Sequence, residues 1–150
     1  MTSDLIVTAQ YEEIPSTDPT VYVSNVTASA GQNVSVPVLI KNNPGIAGAK
    51  ITVTFDNGLA LTSATKGDAF AVLDYTAPAS LASGCAFNWD SLDAESNVDG
   101  TILTLVFTVP ADAAPGDTFN VELSYRNGDV YDVDLNDVSL AMVAGIITVK

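Results

Sequence analysis

Short stretches of alternating apolar and polar residues run along most of this chain. Residues 34–40 place a branched aliphatic residue at every second position, and residues 49–55 repeat the pattern as far as a phenylalanine. A period of two is typical of a β-strand that buries one of its faces. Glycine, proline, asparagine and aspartate separate these stretches at intervals of roughly 8–12 residues. The pattern therefore predicts an all-β protein.

The predicted strands are short, and no intervening segment has the period of an amphipathic helix. Their number and spacing favour an antiparallel sandwich or jelly roll. Pro37 lacks an amide donor, so its strand should lie at a sheet edge or contain a bulge. Residues 70–81 have no regular pattern. The predicted strands are residues 5–11, 21–28, 34–41, 46–55, 59–65, 85–90, 101–109, 118–125 and 140–149.

Length and composition fit one domain with a core of its own. The chain has 150 residues, of which 47% are hydrophobic, and this is enough for an independent fold. We expect a single domain over residues 1–150. Residues 1–19 form either an N-terminal extension or an extra strand, and the polar, proline-containing residues 12–19 act as a connector.

Charge and rare residues exclude several classes of function. Eighteen acidic residues against five basic ones give a net charge of −13, which would repel nucleic acid and an anionic membrane surface. A single cysteine and no histidine leave no disulfide within the chain, no Cys/His zinc site and no histidine-dependent triad. Cys85 lies in an apolar stretch, so we expect a buried and inert thiol.

Four segments, taken in order, resemble the cohesin modules of cellulosomal scaffoldins. The first is VTASAGQNVSVPV at residues 26–38, and the second is GIAGAKITVTFD at residues 45–56. The third is LTLVFTVPADAAPG at residues 103–116, and the last is the closing GIITV at residues 145–149. The resemblance covers about residues 21–149. It implies a nine-stranded flattened antiparallel jelly-roll sandwich.

The resemblance also implies a non-catalytic module that binds a dockerin, a small calcium-loaded helical module appended to plant cell-wall hydrolases or to another scaffoldin. We expect the module to lie outside the cell or on its surface, as part of a larger secreted scaffoldin. Without its partner, the module should be monomeric. No cofactor is expected on this chain, because the family's calcium belongs to the dockerin. In the family, the partner lies on the outward residues of the third, fifth, sixth and eighth strands.

Carried over to this sequence, the third strand is residues 46–55 and the sixth is residues 85–90, while the fifth falls somewhere in residues 77–81. Lys50 stands where relatives often have polar or acidic residues, so this module need not share their dockerin. The partner-binding residues implied by the resemblance are Gly48, Lys50, Thr52, Asn88, Asp90, Ser91, Leu92, Val130 and Tyr131.

The small residues that begin the third strand have two explanations. Gly45 and Gly48 could form a bulge or a bend. Alternatively, if Ala49, Ile51, Val53 and Phe55 point inward, small outward residues leave the sheet flat, and a partner helix can approach it closely.

Three rival hypotheses are a glycosidase, a carbohydrate-binding module and a calcium site. A glycosidase needs two facing carboxylates, but Asp90, Asp93, Glu95 and Asp99 occupy mainly one loop. A carbohydrate-binding module needs a planar strip of exposed aromatic residues. Trp89 is expected in the core, however, and the tyrosines are scattered at positions 11, 22, 75, 125 and 131.

The acidic residues 129–137 raise a calcium hypothesis. Counted from Asp132, an EF-hand loop would need glycine at Asp137 and glutamate at Val143, so the loop fails that pattern. A calcium site of another kind and a solvated acidic turn both remain open.

Overall fold

The computed structural model describes residues 18–150, which form two β-sheets and a single 3-10 turn at Asp68–Phe70. The strands are β1 (Thr20–Val23), β2 (Val26–Ala28), β3 (Asn33–Lys41), β4 (Gly48–Phe55), β5 (Ala60–Lys66), β6 (Asp74–Thr76), β7 (Cys85–Asp90), β8 (Gly100–Thr108), β9 (Thr118–Ser124), β10 (Val130–Tyr131), β11 (Ala141–Val143) and β12 (Gly145–Val149). The strand predicted at residues 5–11 lies outside the described residues, and the single-domain assignment stays a prediction.

The two sheets pack face to face as a sandwich. The five-stranded sheet has the order β11-β1-β3-β8-β5. The seven-stranded sheet has the order β2-β12-β9-β4-β7-β6, and the short strand β10 also pairs with β4. This arrangement confirms the all-β jelly-roll prediction.

Alternating residues of both sheets build the core between them. Val38 and Ile40 of β3 belong to the same core as Ile51 and Val53 of β4, and all four are at most 2% exposed. Burying each such aliphatic side chain contributes roughly 1.5–3 kcal/mol of hydrophobic stabilisation. The sequence patterns at residues 34–40 and 49–55 therefore predict correctly which residues point inward.

The structure has twelve strands within residues 18–150 where the sequence predicts nine in the whole chain. Two predicted strands, residues 21–28 and 140–149, each divide and contribute their halves to different sheets. β1 then pairs in parallel with β11, and β2 pairs in parallel with β12. The other pairings are antiparallel, so the antiparallel prediction fails only at these divided strands.

Close contacts at the two division points explain why the strands change sheet there. The side-chain oxygen of Asn25 accepts a hydrogen bond of 2.9 Å from the backbone nitrogen of Ile146. A Cβ atom on Gly145 would come within 2.6 Å of Val23. Glycine lets the two turning backbones lie against each other.

Pro37 lies in an internal strand, since β3 has β1 on one side and β8 on the other. Of the two predicted alternatives, an edge position or a bulge, the structure shows the second, because the register with β8 shifts between Val38 and Leu39. The Pro37 carbonyl accepts a hydrogen bond of 3.0 Å from Ser24, in the turn between β1 and β2. The proline thus lies where β1 stops pairing, and its missing donor disrupts no ladder on that side.

Two further predictions concern the region before β7. The family's fifth strand, expected within residues 77–81, corresponds to β6 at Asp74–Thr76, on the free edge of β7. The sequence gives little sign of this strand because it has only three residues. The predicted strand at residues 85–90, by contrast, coincides with β7.

Candidate partner-binding surface

The outer face of the seven-stranded sheet is the candidate surface. Strands β9, β4, β7 and β6 lie side by side in that order, so the four strands implied by the resemblance are neighbours. We call their outward side the docking face. Its residues are Gly48, Lys50, Thr52, Thr54, Asp74, Thr76, Ala86, Asn88, Asp90, Asn120, Glu122 and Ser124.

Strand pairing brings the predicted polar residues together. Lys50 on β4 pairs directly with Asn88 on β7, and Asn88 pairs with Thr76 on β6. Thr52 lies opposite Ala86. Residues paired in this way have Cβ atoms about 5 Å apart on the same face. The middle of the docking face is therefore neutral and made of short side chains, apart from the exposed amine of Lys50.

Gly48 is covered by the protein's own Tyr131, which corrects the expectation of a bare flat surface at this position. The two residues are paired across β4 and β10, and a Cβ atom on Gly48 would overlap the Tyr131 ring. Gly45 has a different role, because its φ of +110° is a conformation that favours glycine. Gly45 thus has a backbone role, whereas Gly48 makes room for an aromatic ring.

Val130 cannot contact a partner in this arrangement. It pairs with Ala49 and is 1% exposed, inside the core. The register alternates across β10, so the neighbouring Tyr131 points outward and is half-buried over Gly48. Of the two residues predicted from this segment, only Tyr131 remains available.

An apolar rim borders the docking face at the end where β4 begins and β7 ends. We define the rim as Leu92, Val133 and Leu135, which are 101%, 41% and 76% exposed. The two loops that carry these residues meet at Glu95, whose carboxylate accepts a hydrogen bond of 3.3 Å from the Val133 backbone nitrogen. Leu92 was predicted, but Val133 and Leu135 were missed.

The loop after β10 holds Leu135 in an uncommon conformation. Leu135 has a φ of 67°, which is unfavourable for a leucine. The Asp132 carboxylate accepts hydrogen bonds of 2.9 Å from the backbone nitrogens of both Asp134 and Asn136, on either side of it. An aspartate at the head of an Asp- and Asn-rich stretch, whose side chain can bond the backbone two residues on, is the sequence signal that could have indicated this turn.

The same bonds bear on the calcium hypothesis. One Asp132 oxygen is occupied by the loop's own backbone, and residues 18–150 contain no group of three or more potential metal-binding side chains. The acidic segment therefore forms a hydrogen-bonded turn.

The acidic loop between β7 and β8 also binds backbone groups, both its own and those of the β3–β4 connection. Asp99 accepts hydrogen bonds of 3.1 and 2.9 Å from the backbone nitrogens of Asn42 and Asn43. The Ser91 hydroxyl accepts one of 3.1 Å from the Ala94 nitrogen, so this predicted partner residue has a turn-forming role. These contacts favour a structural role for the loop over the paired carboxylates of a glycosidase.

The aromatic residues between positions 18 and 150 form no exposed strip. Trp89 is fully buried, as predicted, and packs against Phe70 and Tyr75 with ring centroids 5.4 and 5.6 Å away. The Tyr125 hydroxyl donates to the Leu140 carbonyl and accepts from its nitrogen. Tyr22 lies in the five-stranded sheet beneath Lys41. This distribution does not favour a carbohydrate-binding module.

Cys85 is half-buried rather than buried, at the start of β7. Burial raises the pKa of its thiol, which keeps the thiol protonated near neutral pH and limits its reactivity. The described part of the chain has no helix long and apolar enough to cross a membrane.

Comparison with known proteins identifies the fold and the family. The model of the Cohesin domain family matches residues 19–149. No match is found among curated proteins. Because the family match covers most of the sequence, the chain belongs to the cohesin domain family.

Three solved structures illustrate the shared fold. A non-cellulosomal cohesin from Archaeoglobus fulgidus has a TM-score of 0.75 at 18% identity, over 89% of this chain and 91% of the other. The OlpA cohesin of Clostridium thermocellum, in complex with Doc918, has a TM-score of 0.77 at 21% identity, over 89% and 99%. The third ScaC cohesin of Acetivibrio cellulolyticus, in complex with the ScaB dockerin, has a TM-score of 0.77 at 23% identity, over 87% and 98%.

Proposed function

We propose that this cohesin domain binds a calcium-loaded dockerin through its docking face and the adjoining apolar rim. Membership of the family and the similarity to cohesins solved with dockerins support this function. The observation that carries it is the direct pairing of Lys50 with Asn88. That pair lies at the centre of a smooth outward face whose neighbouring side chains are short.

The apolar rim supplies the anchor that such an interface needs. Leu92 and Leu135 expose most of their side chains to solvent, and burying them against a partner gains hydrophobic free energy. A typical interface covers ~800 Å² per partner, and a few central contacts carry most of its affinity. Leu92, Leu135 and Tyr131 are the apolar candidates for these contacts, and Lys50 and Asn88 are the polar ones.

The proposed role is assembly without catalysis. The Asp99 carboxylate binds the backbone of Asn42 and Asn43, and the Asp132 carboxylate binds the backbone of its own loop. The proposed complex takes its calcium from the dockerin. By analogy with scaffoldins, the module acts outside the cell or on its surface and helps to assemble plant cell-wall-degrading enzymes. The cohesin from Archaeoglobus fulgidus is non-cellulosomal. The proposed binding of a dockerin through the docking face therefore does not depend on membership of a cellulosome.

A pull-down against a panel of calcium-loaded dockerins tests this function. We expect at least one dockerin to be retained in calcium and released by a chelator, since the dockerin folds around the metal. Incubation with cellulose and xylan, without any dockerin, tests the carbohydrate-binding alternative. Retention on either polysaccharide with no dockerin captured would contradict the proposal.

A second arm of the experiment locates the surface. Replacing Asn88, at the centre of the docking face, with a bulky residue in Asn88→Trp should weaken capture strongly. The matched control is Thr104→Trp, which changes an outward residue of β8 in the five-stranded sheet. Equal capture by both variants would show that the dockerin binds elsewhere.

A further inference from the structure

Two carboxylates face each other on the docking face. Asp74 on β6 and Asp90 on β7 are directly paired, and both are exposed. Neither has a cationic partner among residues 18–150. Like charges in directly opposed positions destabilise a sheet. The free domain therefore carries an electrostatic cost that a cationic partner group would relieve.

A single positive charge lies beside this pair. Asp90 also lies opposite Gly48, and Lys50 is two residues farther along the same strand. Two residues of strand span roughly 7 Å. The other basic side chains, at positions 41, 66, 126 and 150, lie outside β4, β6, β7 and β9. Apart from Glu122 on β9, the docking face thus has a negative row and one positive centre, about 7 Å away along the strand direction and at least one strand to the side.

We propose that the partner helix carries a basic residue facing Asp74 and Asp90 and an acidic residue facing Lys50, about one helical turn apart. This inference rests on the proposed function and adds the charge pattern that selects the dockerin. Residues four apart on a helix are separated by about 6 Å along its axis. That spacing matches the separation of the two charge centres measured along the strand direction.

Two physical effects allow the charges of Lys50, Asp74 and Asp90 to discriminate among dockerins. Short neighbours such as Thr76, Ala86 and Thr52 let a helix lie close to the sheet, so water is excluded around the charges. Removal of water strengthens their interactions with the partner. A dockerin with the opposite order of charges would place like charges together, and such contacts reject wrong partners.

The experiment uses a displayed library of natural dockerin modules in calcium. The wild-type domain is compared with the charge-reversed variant Lys50→Glu/Asp74→Lys/Asp90→Lys, and thermal unfolding verifies that both are folded. We expect the wild type to enrich dockerins with the basic–acidic spacing and the reversed variant to enrich the opposite order. For the best wild-type clone, Lys50→Glu should weaken binding about 10–100-fold. Reversing the facing acidic residue of that clone should restore most of the loss.

Two results would overturn this inference in distinguishable ways. If both domains enrich the same dockerins, dockerin binding stands and the charge pattern is wrong. If neither domain enriches any dockerin, the proposed function itself is contradicted. A partner-free measurement complements the selection: Asp90→Asn should raise the melting temperature by about 1–3 °C, whereas an unchanged or lower value would contradict the repulsion.

Discussion

The outer faces of the two sheets have the same alternating pattern, but they differ in whether their lysine side chains have partners within the protein. On the five-stranded sheet, the Lys41 amine lies 5.6 Å from the centre of the Tyr22 ring, and Lys66 donates hydrogen bonds to the carbonyls of Ala71 and Leu73. On the seven-stranded sheet, Lys50 has no such partner among residues 18–150. The lysines of the five-stranded sheet thus have partners within the protein, whereas Lys50 on the docking face can pair with a group of another molecule.

The largest effect is expected at the apolar rim. Leu92→Asp with Leu135→Asp should lower dockerin affinity at least 100-fold, because a buried interface would then contain unpaired carboxylates. Calorimetric titration measures the loss. The matched control is Val143→Asp, which changes a residue that is 48% exposed in the five-stranded sheet. A similar loss of dockerin affinity in the control would show that the dockerin does not bind preferentially at the apolar rim.

Gly48→Ala should destabilise the domain by about 1–2 kcal/mol, because the added methyl group must displace the Tyr131 ring. Urea unfolding measures the change. The loss should shrink in a Tyr131→Ala background, where the ring is absent. Ser35→Ala on the exposed side of β3 serves as the control and should change stability by less than about 0.5 kcal/mol. An equal loss in both Gly48 backgrounds would show that Tyr131 is not the cause.

Asp132→Ala should cost about 1 kcal/mol, since two backbone donors lose their carboxylate partner. The same change should weaken dockerin binding several-fold, because Leu135 is no longer held in place. Asp134→Ala is the control, as it removes an equal charge from the same loop. If both variants lower affinity equally, charge rather than loop geometry explains the effect.

The smallest effect concerns Cys85 and Tyr75, which adjoin the docking face. Burial raises the pKa of both groups, and the nearby Cys85 adds to the increase for Tyr75. Both are neutral when protonated, so their stabilising contribution is complete below the unfolded-state pKa and is lost as the pH rises through the folded-state pKa. We expect the urea midpoint to fall above about pH 9 and to fall less in Cys85→Ala. A midpoint that rises over this range would contradict the assignment.

The sequence predicts the core well because burial is repeated at every second residue. The inward positions Ile51, Val53 and Trp89 were all predicted, and each is at most 2% exposed. The sheet changes at residues 24–25 and 144 were missed, because each depends on a contact between distant segments, such as Asn25 with Ile146. Alternation within one strand carries no information on such a contact.

The docking face was only partly predictable for a similar reason. Strand alternation predicted that Lys50 and Asn88 point outward, and the resemblance placed them on one face, where the structure pairs them. Val130 was misplaced by a single residue of register, which is enough to turn a side chain from the surface into the core. Leu135 was missed because its exposure depends on the hydrogen bonds of Asp132, and Asp74 was missed because β6 is too short to show a period.

Amide chemical-shift mapping of the isotope-labelled domain, titrated with a captured calcium-loaded dockerin, shows which sheet the partner contacts. The largest perturbations should fall on Lys50, Thr76, Asn88 and the residues around Leu92 and Leu135. Amides of the five-stranded sheet, such as those of Ser35 and Thr104, should change little. Perturbations concentrated on β3 and β8, with Lys50 and Asn88 unaffected, would contradict binding at the docking face.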